Sequence, residues 1–288
     1  MQKIAIHGRE VSEEVGREIA TILAKLKTYG CEIFVSESFA STRYHHLFKG
    51  IKTFGKVENS QFDCFLSVGG DGTFLETLTY VGPTEIPILG INTGRLGFLA
   101  SISRDHIDFA LDQLMHGNFV TDKRALVSLQ VERPLFSENF ALNEFAIMRK
   151  DTSSMIAIKS YVNGDFLSTY WADGLMVSTP TGSTGYSLSC GGPIIMPQSG
   201  NLIITPVSPH NLNVRPLVLS DECVLRFEVD SRSTNFLVSL DSRSTTVEDH
   251  IILEVTRAPF KAQMVKIEGY SFLETLRAKL SWGLDSRN

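Results

Sequence analysis

A short apolar strand that runs directly into a glycine-rich turn and a helix constrains this chain more than any other feature. Residues 65–68 (FLSV) are typical of a strand buried in a parallel sheet. The turn GGDG follows at residues 69–72 and leads into a helical pattern that ends near Val81. Such a turn exposes backbone N–H groups to which a phosphate can bind.

Asp71, at the centre of this turn, is the first candidate catalytic residue. A lone carboxylate repels bound phosphate unless it meets a metal ion or accepts a proton. The alternative is an ordinary tight turn with a surface aspartate. A second glycine cluster, GINTGRLGFLA at residues 90–100, begins in the next predicted strand. Because parallel strands end at one edge of a sheet, the two clusters together favour a ligand crevice.

The order of patterns predicts two kinds of domain. Strands and helices alternate through residues 1–120, which predicts an α/β domain with a parallel, Rossmann-like sheet carrying the GGDG turn. Short or alternating apolar runs in residues 121–267 predict an antiparallel β domain, either a sandwich or two packed sheets. The pair Asn163–Gly164 lies between two such runs and predicts a hairpin. Residues 272–282 predict a final helix within a C-terminal segment, 268–288.

Composition limits the classes of function. The chain has 288 residues, 43% of them apolar and 20% charged, so it can bury a sizeable core. Its net charge of −5 argues against nucleic acid and anionic membranes as partners. Neither a signal peptide nor an apolar run long enough to span a membrane is recognisable. The four cysteines lie far apart, so we expect no structural zinc and a reduced, cytoplasmic protein.

Asn143 and Glu144 interrupt an apolar run, FALNEFAIM. Because adjacent strand residues point to opposite faces, at least one of the two side chains is expected on the core side. A buried Asn or Glu needs a partner, so the pair indicates either a ligand contact or a structural hydrogen bond at a β-bulge.

The densest stretch of polar residues and glycines is WADGLMVSTPTGSTGYSLSCGGP, residues 171–193. Its hydroxyl groups and accessible amides are donors for phosphate, and Tyr186 offers a flat ring on which a base can stack. The alternative is a long polar loop between strands. The apolar strand that runs directly into the cluster favours a nucleotide site.

These stretches together resemble the NAD kinases, which phosphorylate the 2′-hydroxyl of the adenosine ribose of NAD to make NADP. The motifs that carry the resemblance span most of the chain in the family's order: SVGGDGTFL, GINTGRLGFL, LNEF, ADGLMVSTPTGSTGYSLSCGGPI and SPHNLNVRPLVL. GGDGT also occurs in phosphofructokinases and lipid kinases, so the later motifs are the more specific ones. The resemblance implies an α/β domain, then a β domain, and a C-terminal segment that packs back on the first.

The resemblance also assigns roles to single residues. It implies that Asp71 is the general base for the ribose hydroxyl, with Gly72 beside it. Phe98 would line the adenosine pocket, and Asn143 and Glu144 would contact the adenosine half of NAD. The adenine and ribose would be wrapped by Thr184, Gly185, Tyr186, Ser187, Leu188 and Ser189.

The nicotinamide end of NAD is where this chain departs from the family. The resemblance implies that Asp173 and Asp241 lie near that end. Many relatives have a basic residue two positions before the first of these aspartates, where this chain has Trp171. Many also have Ala at the position of Gly185, and some have Gln at that of Arg243. These departures concern how the nicotinamide end is held and whether NADH is accepted.

The resemblance implies ATP or polyphosphate as phosphate donor, Mg²⁺ or another divalent cation bound with the donor phosphates, and a homodimer or homotetramer. We identify no metal-ligating residues in the sequence. Two alternatives remain open: a lipid or sugar kinase that shares the GGDG turn, and a noncatalytic NAD-binding regulatory module. Incubation with NAD, ATP and Mg²⁺, followed by a search for NADP, separates all three.

Overall fold

The computed structural model describes residues 1–9, 15–57, 59, 61–94, 97–150, 155–231, 235–248, 251–267 and 271–281. The chain forms two compact units. Unit 1 comprises Met1–Lys123 and Ala262–Asn288, and unit 2 comprises Arg124–Lys261. The division into domains of residues 1–120, 121–267 and 268–288 stays a prediction.

The helices and strands alternate in the first part of the chain. In order they are β1 (Lys3–Gly8), α1 (Val15–Thr28), β2 (Glu32–Ser36), α2 (Glu37–Ala40), β3 (Lys52–Phe54), β4 (Cys64–Val68), α3 (Asp71–Val81), β5 (Ile88–Ile91), α4 (Ile107–His116) and β6 (Phe119–Gln130). The remainder is almost entirely strand: β7 (Phe140–Ala141), β8 (Glu144–Arg149), β9 (Ile156–Val162), β10 (Asp165–Ala172), β11 (Gly174–Ser178), α5 (Tyr186–Ser189), β12 (Asn201–Val207), β13 (Leu217–Ser220), β14 (Leu225–Asp230), β15 (Asn235–Leu240), β16 (Arg243–Glu248), β17 (Ile252–Ile267) and α6 (Phe272–Leu280).

Unit 1 is built on a parallel sheet with the strand order β3-β2-β1-β4-β5. The end of β17 adds a further parallel strand beside β5, through Met264 and Ile88. Side chains of α1 and α4, such as Ile19 and Leu111, form one buried cluster with Leu66 of β4. The strand order reverses beside β1, so the carboxyl ends of β1 and β4 form the kind of switch point at which α/β proteins bind ligands.

Unit 2 contains two antiparallel sheets. One has the strand order β13-β12-β11-β8-β15-β16. The other has β10-β9-β14 followed by the first residues of β17. Their apolar faces share one core, in which the rings of Phe145 and Phe227 stack with centroids 5.9 Å apart. This packing is that of a sandwich, and the predicted fold class is confirmed for both units.

The structure contains strands that the sequence patterns did not predict: β3, β13 and β16. The hairpin at Asn163–Gly164 is confirmed, with both residues at positive φ (52° and 91°), and its second strand is β10. The predicted run of residues 140–148 forms two strands, β7 and β8, with Leu142 and Asn143 between them. Helix α6 ends at Leu280, and the predicted end of that helix at residue 282 lies outside the described residues. Among the described helices, none is long and apolar enough to cross a membrane.

Candidate active site

The GGDG turn joins β4 to α3 in unit 1, as predicted. Gly69 has φ of +157°, and a Cβ there would lie 2.7 Å from the Thr73 Cβ, so the position requires glycine. Gly70 is the N-cap of α3 and contributes no side-chain cap. The first turn of α3, which includes Asp71 and Gly72, therefore keeps amide groups for an anionic group to contact.

The Asp71 carboxylate is held by the second glycine cluster. Its Oδ2 accepts a hydrogen bond from the Phe98 N–H (2.9 Å), and its Oδ1 accepts from Leu99 (3.0 Å) and Ala100 (3.1 Å). A Cβ on Gly97 would overlap this carboxylate. The two glycine clusters thus meet at one side chain. Residues 95 and 96 of the second cluster lie outside the described residues.

Helix α6 adds a cation that sequence reasoning missed. Lys279 places its Nζ 3.5 Å from Asp71 Oδ2 and 4.7 Å from the centroid of the Phe98 ring. The ring of Phe272, at the start of α6, lies 6.1 Å from the Phe98 ring. The predicted packing of the C-terminal segment on the first unit is confirmed by these contacts. In the sequence, Lys279 is one exposed lysine near the end of an amphipathic helix. Nothing in that pattern predicts that it lies beside Asp71.

A second polar cluster lies at the end of β1. Arg9 Nε forms an ion pair with Glu76 Oε2 on α3, and His7 Nε2 lies 3.5 Å from the same oxygen. The other ring nitrogen of His7 is 2.7 Å from Ser36 Oγ. The contacts with His7 and then Arg9 hold the pKa of Glu76 far below its ordinary value, at about 2. A Cβ on Gly72 would lie 3.8 Å from the Arg9 guanidinium, so this cluster borders the first turn of α3.

In unit 2, Asp241 organises the predicted Asn143–Glu144 pair. Its carboxylate accepts hydrogen bonds from the N–H groups of Leu142 (2.9 Å), Asn143 (2.7 Å) and Glu144 (3.2 Å). The Thr179 N–H donates to the Asn143 carbonyl at 2.9 Å. The break between β7 and β8 is therefore a pinned turn, and Asp241 acts on it through the backbone.

Glu144 carries a buried carboxyl group. Among the described residues, its Oε2 has no hydrogen-bond partner. Burial first, and the charge of Asp241 second, raise the pKa of Glu144 to about 8. A Cβ on Gly185 would lie 3.3 Å from Glu144 Oε2, so the glycine leaves room beside this carboxyl. Near neutral pH the group is protonated and able to donate a hydrogen bond.

The polar stretch after β11 packs tightly against the same turn. A Cβ on Gly182 would overlap the Asn143 backbone. Thr184 donates to the Thr181 carbonyl at 3.1 Å, and the buried Ser187 hydroxyl is 2.8 Å from that of Thr205. The other predicted residues of the stretch are Gly185 and Leu188, which are half-buried, and Tyr186 and Ser189, which are exposed. Within this stretch the chain forms a 3₁₀ turn, Gly182–Thr184, followed by α5.

The residues that concern the nicotinamide end differ in their contacts. Asp173 lies between β10 and β11, and Arg149 Nε is 3.2 Å from its Oδ1. Trp171 is 48% exposed on β10. Arg243 donates to the carbonyls of Glu138 (2.5 Å) and Phe140, so it supports the strands before the pinned turn.

Comparison with known proteins covers both units. Residues 8–119 match the family described as ATP-NAD kinase N-terminal domain, and residues 142–267 match the ATP-NAD kinase C-terminal domain. An NAD kinase of Cytophaga hutchinsonii is 46% identical over 289 residues, which cover 99% of each chain. An NAD kinase of Flavobacterium psychrophilum is 45% identical over 295 residues, with 99% of this chain and 100% of that protein covered.

Two solved structures share the fold. The crystal structure of yeast NADH kinase complexed with NADH gives a TM-score of 0.87 at 20% identity, covering 99% of this chain and 89% of that one. The crystal structure of an NAD kinase from Archaeoglobus fulgidus in complex with ATP gives 0.77 at 25% identity, covering 97% and 99%.

Proposed function

We propose, from the premise that this chain belongs to the NAD kinase family, that Asp71 accepts the proton of the ribose 2′-hydroxyl during phosphoryl transfer. Membership confirms the resemblance found in the sequence motifs. It also establishes the activity: the chain is a phosphotransferase that converts NAD into NADP. The roles of single residues in that reaction are the substance of the proposal.

The observation that carries the proposal is the fixed carboxylate of Asp71. Three backbone N–H groups orient it at the first turn of α3, at the edge of the sheet where α/β proteins bind ligands. Phosphoryl transfer depends on positioning and charge stabilisation, because its transition state is loose. A carboxylate becomes an effective base only once the phosphorus–oxygen bond is forming and the hydroxyl proton has become acidic. Its orientation therefore matters more than its intrinsic basicity.

The donor phosphates are proposed to lie against the backbone amides of the GGDG turn. Gly70 provides no side-chain cap, and Gly72 has no side chain to block approach to the first turn of α3. We propose ATP as the donor. The family description and the A. fulgidus kinase in complex with ATP support this choice. Polyphosphate is the donor to which ATP should be compared.

We propose that Mg²⁺ arrives with the donor. Among the described residues, no group of three or more His, Cys, Asp and Glu could hold a metal. This arrangement fits Mg²⁺, which keeps several waters and is bound largely by substrate phosphates in enzymes of this kind. The ion supplies charge neutralisation of the donor phosphates. The chain supplies the amides and the base.

Recognition of NAD is proposed to depend on unit 2. The protonated Glu144 carboxyl, with its unpartnered Oε2, can donate a hydrogen bond to an acceptor atom of the adenosine half, beside Asn143. The exposed ring of Tyr186 offers a stacking face. We further propose that Phe98 lines the adenosine pocket and that Asp173, beside Trp171, faces the nicotinamide half. Asp241 is proposed to act by holding the Asn143–Glu144 turn.

We propose a cytoplasmic homodimer or homotetramer that binds neither nucleic acid nor membrane. The four cysteines are unbonded thiols, as in a reducing compartment. The net charge of −5 opposes binding to polyanions. Strand β10 is the edge strand of its sheet and exposes Phe166, which supports pairing with a second copy.

The activity and the role of Asp71 are tested together. The purified protein is incubated with NAD, Mg²⁺ and either ATP or polyphosphate, and NADP is measured. We expect NADP with ATP, and a loss of turnover without a loss of NAD binding in Asp71→Asn. Absence of NADP with both donors would leave a noncatalytic NAD-binding module. Near-normal turnover in Asp71→Asn would remove the general base from the proposal.

A further inference from the structure

We propose that Lys279 on α6 is a second catalytic residue, whose ammonium group stabilises the phosphoryl group as it passes to the hydroxyl held by Asp71. The inference rests on the proposed role of Asp71 and adds a residue to that site. Its starting point is the position of Lys279 Nζ, 3.5 Å from Asp71 Oδ2.

The two oxygens of Asp71 are not equally occupied. Oδ1 accepts two N–H groups, from Leu99 and Ala100, whereas Oδ2 accepts one, from Phe98. Because a carboxylate has about four acceptor positions, Oδ2 retains the remaining one. A substrate hydroxyl that binds Asp71 therefore binds Oδ2, the oxygen against which Lys279 lies. The phosphorus attacked by that hydroxyl comes within reach of the same ammonium group.

A cation at this position would act in addition to the Mg²⁺ that comes with the donor phosphates. The transferred phosphoryl group spreads negative charge over three oxygens, and the nearby carboxylate of Asp71 adds repulsion. Arg9 also borders the first turn of α3, but its guanidinium is paired with Glu76. Lys279 is at a distance from Asp71 longer than the 2.7–2.9 Å of a charge-assisted hydrogen bond. Its ammonium group can therefore turn to an incoming phosphoryl oxygen.

The capping and packing of helix α6 place Lys279 beside Asp71. Ser271 and Glu274 form a capping box that fixes the start of the helix. Leu276 is buried, and Phe272 contacts the ring of Phe98. The same Phe98 ring lies under the Lys279 ammonium, at 4.7 Å from its centroid. Lys279 is thus held on one side by an aromatic face and on the other by the base.

The opposite interpretation of this contact is inhibition, in which Lys279 blocks Asp71 until α6 moves. The two interpretations predict opposite changes in turnover when Lys279 is replaced. Loss of a catalytic cation slows the chemical step, whereas loss of an inhibitory contact raises turnover. A lysine that only supports the fold changes thermal stability and affects NAD binding and turnover together.

The test replaces Lys279 by Met, which keeps the apolar stem and removes the charge. We expect kcat to fall by about 10²–10³, the loss typical of one electrostatic group at a transition state. The Kd for NAD should change by less than about two-fold and the Tm should be unchanged. Lys279→Arg should recover part of the lost kcat. Arg277→Met, which removes an exposed positive charge from the same helix, is the matched control and should leave kcat unchanged.

A double variant separates action on the phosphoryl group from action through Asp71. In an Asp71→Asn background, Lys279→Met should still lower the residual kcat at least ten-fold. No further loss in that background, near-normal kcat in the single variant, or a rise in kcat would each overturn the proposal. If only the proposed role of Lys279 is wrong, Asp71→Asn alone still slows turnover. If the proposed role of Asp71 is wrong, Asp71→Asn has normal turnover.

Discussion

The buried carboxyl of Glu144 should make the protein less stable as the pH rises through neutrality. Burial and the charge of Asp241 raise the pKa of this group from 4.5 to about 8. Its Oε2 has no partner among the described residues that would favour the charged form. Glu144→Gln keeps the shape of the neutral acid and cannot ionise, so it isolates the effect.

The sign and size of the effect follow from the difference between the folded and unfolded pKa of Glu144. Between pH 4.5 and about 8 the folded state keeps the proton of Glu144 while the unfolded state has lost it. The folded state therefore binds more protons, and the free energy of unfolding falls as the pH rises. A tenfold change in proton affinity corresponds to about 1.4 kcal/mol, so the whole pKa difference contributes up to about 5 kcal/mol.

The assay is urea denaturation of the wild-type protein and Glu144→Gln at intervals from pH 5 to pH 9. The two should have similar stability at pH 5, and the variant should become the more stable by several kcal/mol at pH 9. Glu132→Gln, at an exposed position in the same unit, is the control and should follow the wild type throughout. A difference between Glu144→Gln and the wild type that does not change with pH would show that the carboxyl is not held protonated, and would refute the raised pKa.

Two further predictions concern unit 1. Gly97→Ala places a Cβ where the Asp71 carboxylate lies, so kcat should fall at least ten-fold and stability by about 1–3 kcal/mol, measured by steady-state kinetics and urea denaturation. Gly94→Ala, whose Cβ would lie 3.9 Å from its nearest neighbour, should change neither. Because the pKa of Glu76 is lowered to about 2, its ion pair stabilises the protein above pH 4.5 and loses effect as the pH falls toward 2. Glu76→Gln should cost about 1–2 kcal/mol at pH 7, reduced for partial exposure, and about a quarter of that at pH 2.5; an equal cost at both pH values would contradict this.

The fold was predictable because hydrophobic patterns are local. The run before Gly69 and the glycines after it were sufficient to predict β4, the turn and α3. The bounds of strand β10 were not predicted, because its residues DFLSTYWA place polar and apolar side chains without clear alternation. It is nevertheless the strand that completes the hairpin at Asn163–Gly164.

The candidate site was only partly predictable, because its contacts join distant parts of the chain. The amides that hold Asp71 belong to residues 98–100, and Lys279 comes from the last described helix. Asp241 reaches the Asn143 amide across almost 100 residues of sequence. The motifs identified Asp71, Asn143 and Asp241 as residues of interest. Which groups they contact follows from packing, which no local pattern specifies.

The claim that Asp71 is the general base is tested most directly by single-turnover kinetics of Asp71→Asn at saturating NAD and ATP. Asn keeps the shape of the side chain but cannot accept the hydroxyl proton. The rate of NADP formation in one turnover should fall by about 10²–10⁴, with the Kd for NAD within about three-fold of the wild type. Asp108→Asn, an exposed aspartate in the first turn of α4, should retain the wild-type rate. A single-turnover rate in Asp71→Asn within about three-fold of the wild type would contradict the account.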